Sequence, residues 1–567
     1  MNNLLCESLA HGFPFQLQSR NPKEDCFGFL EDYATRQRNA ILWVSLVAVT
    51  ALLLEKLVKL FVLWAKGSRI PGPPFASSFA RANFGSRQNF VDFLAESHEK
   101  FGSVFKLWLG PSQLLVSIRD PALVKEMLSK AADKLPSTGK AFRLAFGRSS
   151  LFFCSYDEAK QTRESLAMEL NKKMLERADE FPNCIMEKVD ELISNGSNDS
   201  KVFSQRLAFS VIGTALFGNS FLAWSKATSY EDLLMMTAKD AAFWGSYRVA
   251  PLWNHGFWSY QSLCMKLRCL TQDIVQLSRK SHEDKDRNLC NRTIRSRKMA
   301  ASGETFSSGS LMQDKFFSQE LDGHLTASEE NCGNILGLMF HGSVAMAGLI
   351  DSIFKRLITD QELQDKVYLD ISLVKQCSGE DETVGKMHLL LATIHESARL
   401  LSTGSLLQRC SLKDDLCLGN GVIIPAGTVV VVPAQLLQMD NSIWGSDASN
   451  FNPHRFLSNV GKVPDITKDT SFTDARNSIP ASFSVKDPNE VAAYLSFGSG
   501  VRACVGQKFV INEVAAFFAL FLQRYEVRLH PESANDPKAT ANPQIVFLRR
   551  KSRMFQNENS IYEFHWL

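Results

Sequence analysis

The sequence predicts a mainly α-helical fold with small β-sheets, carried behind an N-terminal membrane anchor helix. Three patterns predict it. Residues 40–54 run apolar without a charge, and the apolar character resumes at Leu57, Val58, Leu60, Phe61, Val62, Leu63 and Trp64. Long stretches of the remainder repeat apolar residues every three to four positions, the spacing of one buried helix face. Only short runs, such as Val104–Trp108 and Gly427–Val432, read as strands.

Residues 1–38 come first, as an N-terminal tail. They contain Glu7, Glu24, Asp25, Glu31 and Asp32, acids that an organelle transit peptide lacks, and the apolar run begins too late for a routine cleaved signal. Residues 39–66 follow as a transmembrane anchor. Its uncharged run of 15 residues falls short of the roughly 20 that cross hydrocarbon, but Lys56 and Lys59 can snorkel to the interface while the apolar face continues. A buried helix, or one lying along a surface, is the other reading of this segment. Cations flank both ends, Arg36 and Arg38 before and Lys66 and Arg69 after, so the positive-inside rule leans only slightly toward a cytosolic C-terminal side. Residues 67–75 carry Ile70-Pro71-Gly72-Pro73-Pro74, a proline-rich hinge whose prolines forbid helix and stiffen the chain. Farther on, Arg279–Leu325 and Gly461–Glu490 are dense in polar residues and read as solvated loops.

Composition narrows the function. A net charge of +3 with balanced acids and bases, and no zinc-finger or basic repeat, gives no case for nucleic acid as a partner. The 12 cysteines are scattered without paired short spacings, as in a reduced, cytosol-facing protein. Forty phenylalanines against nine tyrosines predict a strongly apolar interior.

One cysteine stands apart. Phe497-Gly498-Ser499-Gly500-Val501-Arg502-Ala503-Cys504-Val505-Gly506 leads into a helix predicted from Gln507 to about Arg524, with Phe509, Val510, Val514, Phe517, Phe518 and Phe521 on one face. A sulfur ahead of a helix meets unpaired backbone N–H groups and the positive end of the dipole, so Cys504 is expected to be a thiolate. Glycines at 498, 500 and 506 let the backbone turn and approach a flat ligand. A structural cysteine in a glycine turn is the alternative. The segment resembles the haem loop of the cytochrome P450 family, matching F-x-x-G-x-R-x-C-x-G at every fixed position. The resemblance extends from Ile70 onward and implies one domain over residues 76–567 with the cytochrome P450 fold, in which Cys504 is the axial ligand of a haem b iron.

Two upstream segments fit the same resemblance. Glu396 and Arg399 lie three residues apart on a helical stretch 108 residues before the cysteine, and Phe451-Asn452-Pro453-His454-Arg455-Phe456 follows. The family would join Glu396, Arg399 and Arg455 in a buried triad that supports the cysteine loop. It would also place Arg163, Arg409 and Arg502 on the haem propionates, with Phe497, Gly498 and Gly506 shaping the loop. The tryptophan usual four residues before the early-helix arginine is Ala159 here, with Lys160 beside it as a substitute cation.

The departure lies on the distal side. A capping box at Thr326 and Glu329 opens a helix through His341-Gly342-Ser343-Val344-Ala345, which resembles the family's central helix. The acid and alcohol that deliver protons to bound oxygen are Val344 and Ala345 here. A shifted register would offer Asp351 and Ser352 instead. His341, Gly342 and Ser343 are the distal catalytic candidates, with His341 or Ser343 carrying protons in place of the missing pair. The resemblance implies a membrane-anchored monooxygenase of the endoplasmic reticulum facing the cytosol. It would take electrons from NADPH through a separate flavoprotein reductase and oxidise an apolar small molecule at a lipid surface; no flavin or nicotinamide fingerprint occurs in the chain. A haem-thiolate isomerase or dehydratase acting on a peroxide would not need the relay. A third reading is a haem-binding protein without catalysis, its iron closed by His341.

Overall fold

A computed structural model describes residues 22–75, 87–133, 146–147, 150–152, 154–176, 181–196, 199–244, 255–296, 329–377, 384–401, 406–411, 413–459, 483–530 and 545–550. Thr326 of the expected capping box lies outside them. In chain order the elements are α1 (Pro22–Ser68), α2 (Arg87–Phe101), β1 (Val104–Gly110), β2 (Gln113–Ile118), α3 (Pro121–Lys130), α4 (Tyr156–Glu176), α5 (Phe181–Ser194), α6 (Ser200–Phe217), α7 (Ala227–Trp244), α8 (His255–Ser296) and α9 (Glu329–Thr359). Then come α10 (Gln361–Cys377), α11 (His388–Leu400), β3 (Leu407–Arg409), β4 (Leu416–Cys417), β5 (Ile423–Ile424), β6 (Val429–Val432), α12 (Ala434–Gln438) and α13 (Asn441–Trp444). The last are β7 (Leu457–Asn459), β8 (Phe483–Val485), α14 (Gln507–Arg524), β9 (Tyr525–Leu529) and β10 (Ile545–Arg549). The mainly helical class with small sheets is as predicted, and α14 has the bounds its periodicity predicts.

Three expectations need correction. Residues 279–296, read as the start of a solvated loop, continue α8 as helix. The density of Lys and Arg there reflects a polar helix, which a composition argument does not separate from a loop. The segment 461–490 likewise contains β8 and a short 3-10 turn at Pro488–Glu490. At the other end, helix begins at Pro22 rather than at the tail's expected boundary.

The main sheet has the order β1-β2-β6-β3. β2 pairs parallel with β6 in the register Leu115↔Val429, and β3 runs antiparallel to β6 with Arg409 opposite Val430. The valine run 429–432 is buried throughout, as a strand covered on both faces requires.

The core forms around α9, which packs along α6. Ile335, Leu336, Met339, Met346, Ile350, Ile353 and Phe354 of α9 are buried. Phe354 meets Phe517, Phe518 and Phe521 of α14 in edge contacts with ring centroids 5.1–6.2 Å apart. This cluster fixes the central helix against the helix that follows the cysteine. Residues 332–359 are apolar enough to cross a membrane by composition, but more than half of that stretch is buried in the fold. Residues 33–68 are longer and more apolar, and they are unburied over their most apolar stretch, as a membrane anchor requires.

Candidate functional site

The cysteine loop is built backward from α14. Gly506 caps that helix, and Gly498 and Gly500 take φ values of +72° and +70°, which L side chains rarely adopt. A side chain at Gly500 would also run into the Leu128 carbonyl at the end of α3. The backbone N–H of Cys504 donates to Phe497 O at 2.8 Å, closing the loop on itself.

The thiol has one open face, reachable by water, and dense protein on its other sides. Burial raises its pKa, opposed by the Gly506 N–H and the charge of Arg163. The lowering influences expected from sequence are therefore present but outweighed. Cys504 is poised for an electropositive partner at its open face rather than being a thiolate on its own.

Three arginines surround the loop. Arg163, from α4, donates to Ala503 O at 2.6 Å, next to the cysteine. Arg502 is buried and donates to Ala132 O at 2.9 Å, Leu151 O at 3.3 Å and Cys154 O at 2.9 Å, with its guanidinium 5.6 Å from the Tyr156 ring. Arg409, at the end of β3, is also buried; it donates to Gln408 O at 2.8 Å, and its Nε has no hydrogen-bond partner. Burial, then the charges of Arg502 and Arg163, pull the pKa of Arg409 down to about 10. Among the described residues, no carboxylate lies within ion-pair distance of any of the three, Asp133 acting on Arg502 only at longer range. Among the described residues these three clustered cations, held by carbonyls and one with an orphaned N–H, lack an anion. Their donor set fits the carboxylates of a haem, whose iron Cys504 would hold. Lys160 is exposed, so it does not join them.

The support lies behind the loop. Arg399 and Glu396, both fully buried, form a two-point pair at 2.7 and 2.8 Å. Arg399 also donates to Gln438 O and to Ala448 O and sits 5.0 Å over the Trp444 ring. Arg455 comes within 3.4 Å of Glu396 without a hydrogen bond from its Nε, and its own carboxylate is Asp447 at 2.6 Å. The free side of Glu396 is taken instead by the backbone N–H of Asn452 at 2.9 Å. The expected triad is thus a buried pair with Arg455 at its edge. Ser496 Oγ, which donates to Ala398 O at 2.8 Å and accepts from Gln438, ties this scaffold to the segment entering the loop. His395 lies within 3.3 Å of the Tyr494 hydroxyl.

On the distal helix the three candidates separate. His341, Val344 and Ala345 are exposed, whereas Ser343 is buried and its hydroxyl has no hydrogen-bond partner. Two residues along a helix turn a side chain by about 200°, so Ser343 faces the core when His341 faces outward. Gly342 packs against Ile212 of α6, where a Cβ would sit 3.1 Å from its Cδ1. Asp351 accepts from Ser200 Oγ at 2.7 Å and pairs with Lys355 at 3.0 Å, so the shifted register leads to α6. The His341 ring lies among Phe152 at 4.8 Å, Phe340 at 5.1 Å and Phe146 at 6.1 Å.

Sequence reasoning missed the segment that joins the two sides. The backbone N–H of Leu151 donates to Asn334 Oδ1 of α9 at 2.8 Å, while Leu151 O and Cys154 O receive Arg502. Phe152, between them, reaches His341, and Gly337 leaves the space its ring fills. Asn334, at the head of the apolar run Ile335–Phe340, was the available signal.

The family model for cytochrome P450 matches residues 70–555. An 11-oxo-beta-amyrin 30-oxidase of Glycyrrhiza uralensis is 34% identical over 156 residues, 28% of this chain and 25% of that protein. Cytochrome P450 72A397 of Kalopanax septemlobus is 26% identical over 480 residues, 80% of this chain and 81% of its own. Cytochrome P450 714C3 of Oryza sativa subsp. japonica is 23% identical over 460 residues, 77% of this chain and 79% of its own. With a cysteine loop, an arginine cluster that lacks an anion and a match over most of its length, the chain belongs to the cytochrome P450 family, the haem-thiolate monooxygenases.

Proposed function

We propose that this chain oxidises an apolar small molecule with O2 and electrons passed from NADPH by a separate flavoprotein reductase, at the cytosolic face of the endoplasmic reticulum. The arrangement of Arg163, Arg409 and Arg502 around Cys504 carries the reading, because it leaves a cation cluster and an open sulfur that haem b satisfies together. When bound, a haem held by a thiolate would supply oxygen activation. Cys504 would hold the iron through its sulfur, the three arginines would hold the propionates, and Phe497, Gly498 and Gly506 would shape the loop around the group. Glu396, Arg399 and Arg455 fix that loop from behind. On the distal face His341 holds and passes the proton that the family's acid and alcohol usually handle, its ring confined by Phe152 and Phe340. The apolar helix α1 anchors the enzyme where an apolar substrate partitions.

A second reading has its own support. Val344 and Ala345 are exposed at the positions of the usual relay, which suits an isomerase or dehydratase acting on a substrate that already carries an O–O bond. The test is turnover of the full-length protein in two mixtures: reductase, NADPH and O2, or a fatty-acid hydroperoxide alone under nitrogen. The proposal predicts substrate oxidation only in the first, with His341→Ala slowing it. Turnover of the hydroperoxide without reductase, unaffected by oxygen, would establish the second reading instead.

A further inference from the structure

We propose that Asn334 of α9 is a positioning residue for both faces of the site: its side-chain oxygen accepts the one hydrogen bond that holds the turn seating Phe152 on His341 and offering two carbonyls to Arg502. The roles of His341 and Arg502 are those of the proposed function, on which this inference rests. The turn itself is slight. The backbone N–H of Cys154 donates to Ser150 O at 3.0 Å, closing a single turn that carries Leu151 and Phe152. One such bond fixes several backbone dihedrals and is unfavourable alone, so the turn takes its shape from what grips it. Two grips are present. On one side the Leu151 N–H donates to Asn334 Oδ1 at 2.8 Å, with both residues buried. On the other, Arg502 donates to Leu151 O at 3.3 Å and to Cys154 O at 2.9 Å.

The helix is shaped for this contact. At about 100° per residue, Gly333, Asn334, Gly337 and His341 fall within one arc of about 100° on α9. A Cβ at Gly333 would sit 1.7 Å from Phe146 O, and one at Gly337 would sit 2.2 Å from Phe152 Cε2. Two positions without side chains thus let the connection approach, and the polar residue beside them meets its backbone. The Phe152 ring fills the space at Gly337 and reaches His341 one turn on, with ring centroids 4.8 Å apart and planes 31° apart. An amide suits the place, because a buried N–H needs an acceptor and asparagine supplies one without burying a charge. With an apolar residue at 334 the Leu151 N–H would be orphaned. The turn would open, releasing Phe152 from the distal histidine and withdrawing two of the three carbonyls that aim Arg502.

The full-length protein is compared with Asn334→Leu, Asn334→Asp and Gly337→Ala in three readouts. Deuterium exchange at the Leu151 amide reports the hydrogen bond. Acylation of His341 by diethyl pyrocarbonate, with the exposed His454 as reference, reports the cover given by Phe152. Haem transfer to apomyoglobin reports Arg502. Asn334→Leu should speed exchange about tenfold, and should speed acylation and haem transfer several-fold. Asn334→Asp keeps an acceptor oxygen in the same place and should restore all three. Gly337→Ala should speed acylation alone, since its methyl group displaces the ring and leaves the hydrogen bond whole. Faster exchange in Asn334→Leu with acylation and haem transfer at the parental rates would overturn the proposal, because the turn would then open without moving either face. An aspartate variant that behaves like the leucine one would overturn it too. So would His341 acylated no faster in Gly337→Ala, a result that decides even where the leucine variant does not fold. Exchange and acylation need no haem. A parent that takes up no haem, or full turnover by His341→Ala, therefore removes the proposed function while those two readouts still decide the geometry.

Discussion

The proximal and distal sides of this molecule are built by opposite rules. Behind Cys504 the buried support is densely bonded: Arg399 has Glu396 and two carbonyls, Arg502 has three carbonyls, and Ser496 bridges two segments. On the distal face of α9 the exposed groups are His341, Val344 and Ala345, only one of them able to carry a proton. The contrast teaches that the ligand platform is over-determined while the group acting opposite it is free to vary. Changes on the proximal side should therefore cost folding, and changes on the distal side should cost chemistry alone.

The largest effect is expected at the buried pair. Arg399→Ala takes from Glu396 its two-point buried partner, leaving only Arg455 at 3.4 Å and the Asn452 N–H, and should destabilise by about 3–5 kcal/mol, measured by urea unfolding. A loss near zero would show that the proximal scaffold is not held by this pair. Arg409→Leu sharpens the point with an effect of opposite sign in the haem-free protein. Its guanidinium stays protonated at neutral pH, so burial and two like charges burden the folded form by up to about 3 kcal/mol. The haem-free variant should melt higher than its parent, and the loaded variant should lose haem faster to apomyoglobin. A lower melting point without haem would contradict the view that the cluster awaits an anion.

His395 gives the scaffold a pH signature. Burial lowers its pKa from 6.5 to about 4, so between those values the unfolded chain binds a proton that the folded one refuses. Its contribution is complete above pH 6.5 and is lost as pH falls toward 4, about 3 kcal/mol in all. His98, also lowered by burial to about 4, acts in the same direction. Asp370, raised by burial to about 6, acts against them: it favours folding below pH 3.8, and that contribution disappears as pH rises through 6. His395→Phe should flatten the acid limb of stability against pH, and an unchanged limb would remove His395 from this role. The smallest effect on folding is expected at His341. Being exposed, His341→Ala should change stability by no more than about 0.5 kcal/mol, as read by thermal unfolding.

What could be read from sequence divides along the same line. The loop, the bounds of α14 and the Glu396–Arg399 spacing are local patterns, and they survive folding because glycine turns and helix periodicity depend on near neighbours. The sign of the Cys504 shift was not legible, since burial is contributed by segments far away in the chain. Nor was the company of Arg409, whose repelling neighbours come from α4 and from the loop at Arg502. Ser343 could have been set aside earlier, because helix geometry alone turns it away from His341. The contact of Phe152 with His341 depends on a connection that leaves no periodic trace. In α8 the polar residues concealed a helix, since composition reports solvent exposure and not backbone form.

The optical spectrum of the reduced protein under carbon monoxide, for the wild type and for Cys504→Ser, tests the central claim most directly. Haem-thiolate ligation predicts the red-shifted carbonyl band in the wild type and its loss in the variant. A variant that keeps the band, or a wild type that binds no haem, would contradict Cys504 as the axial ligand.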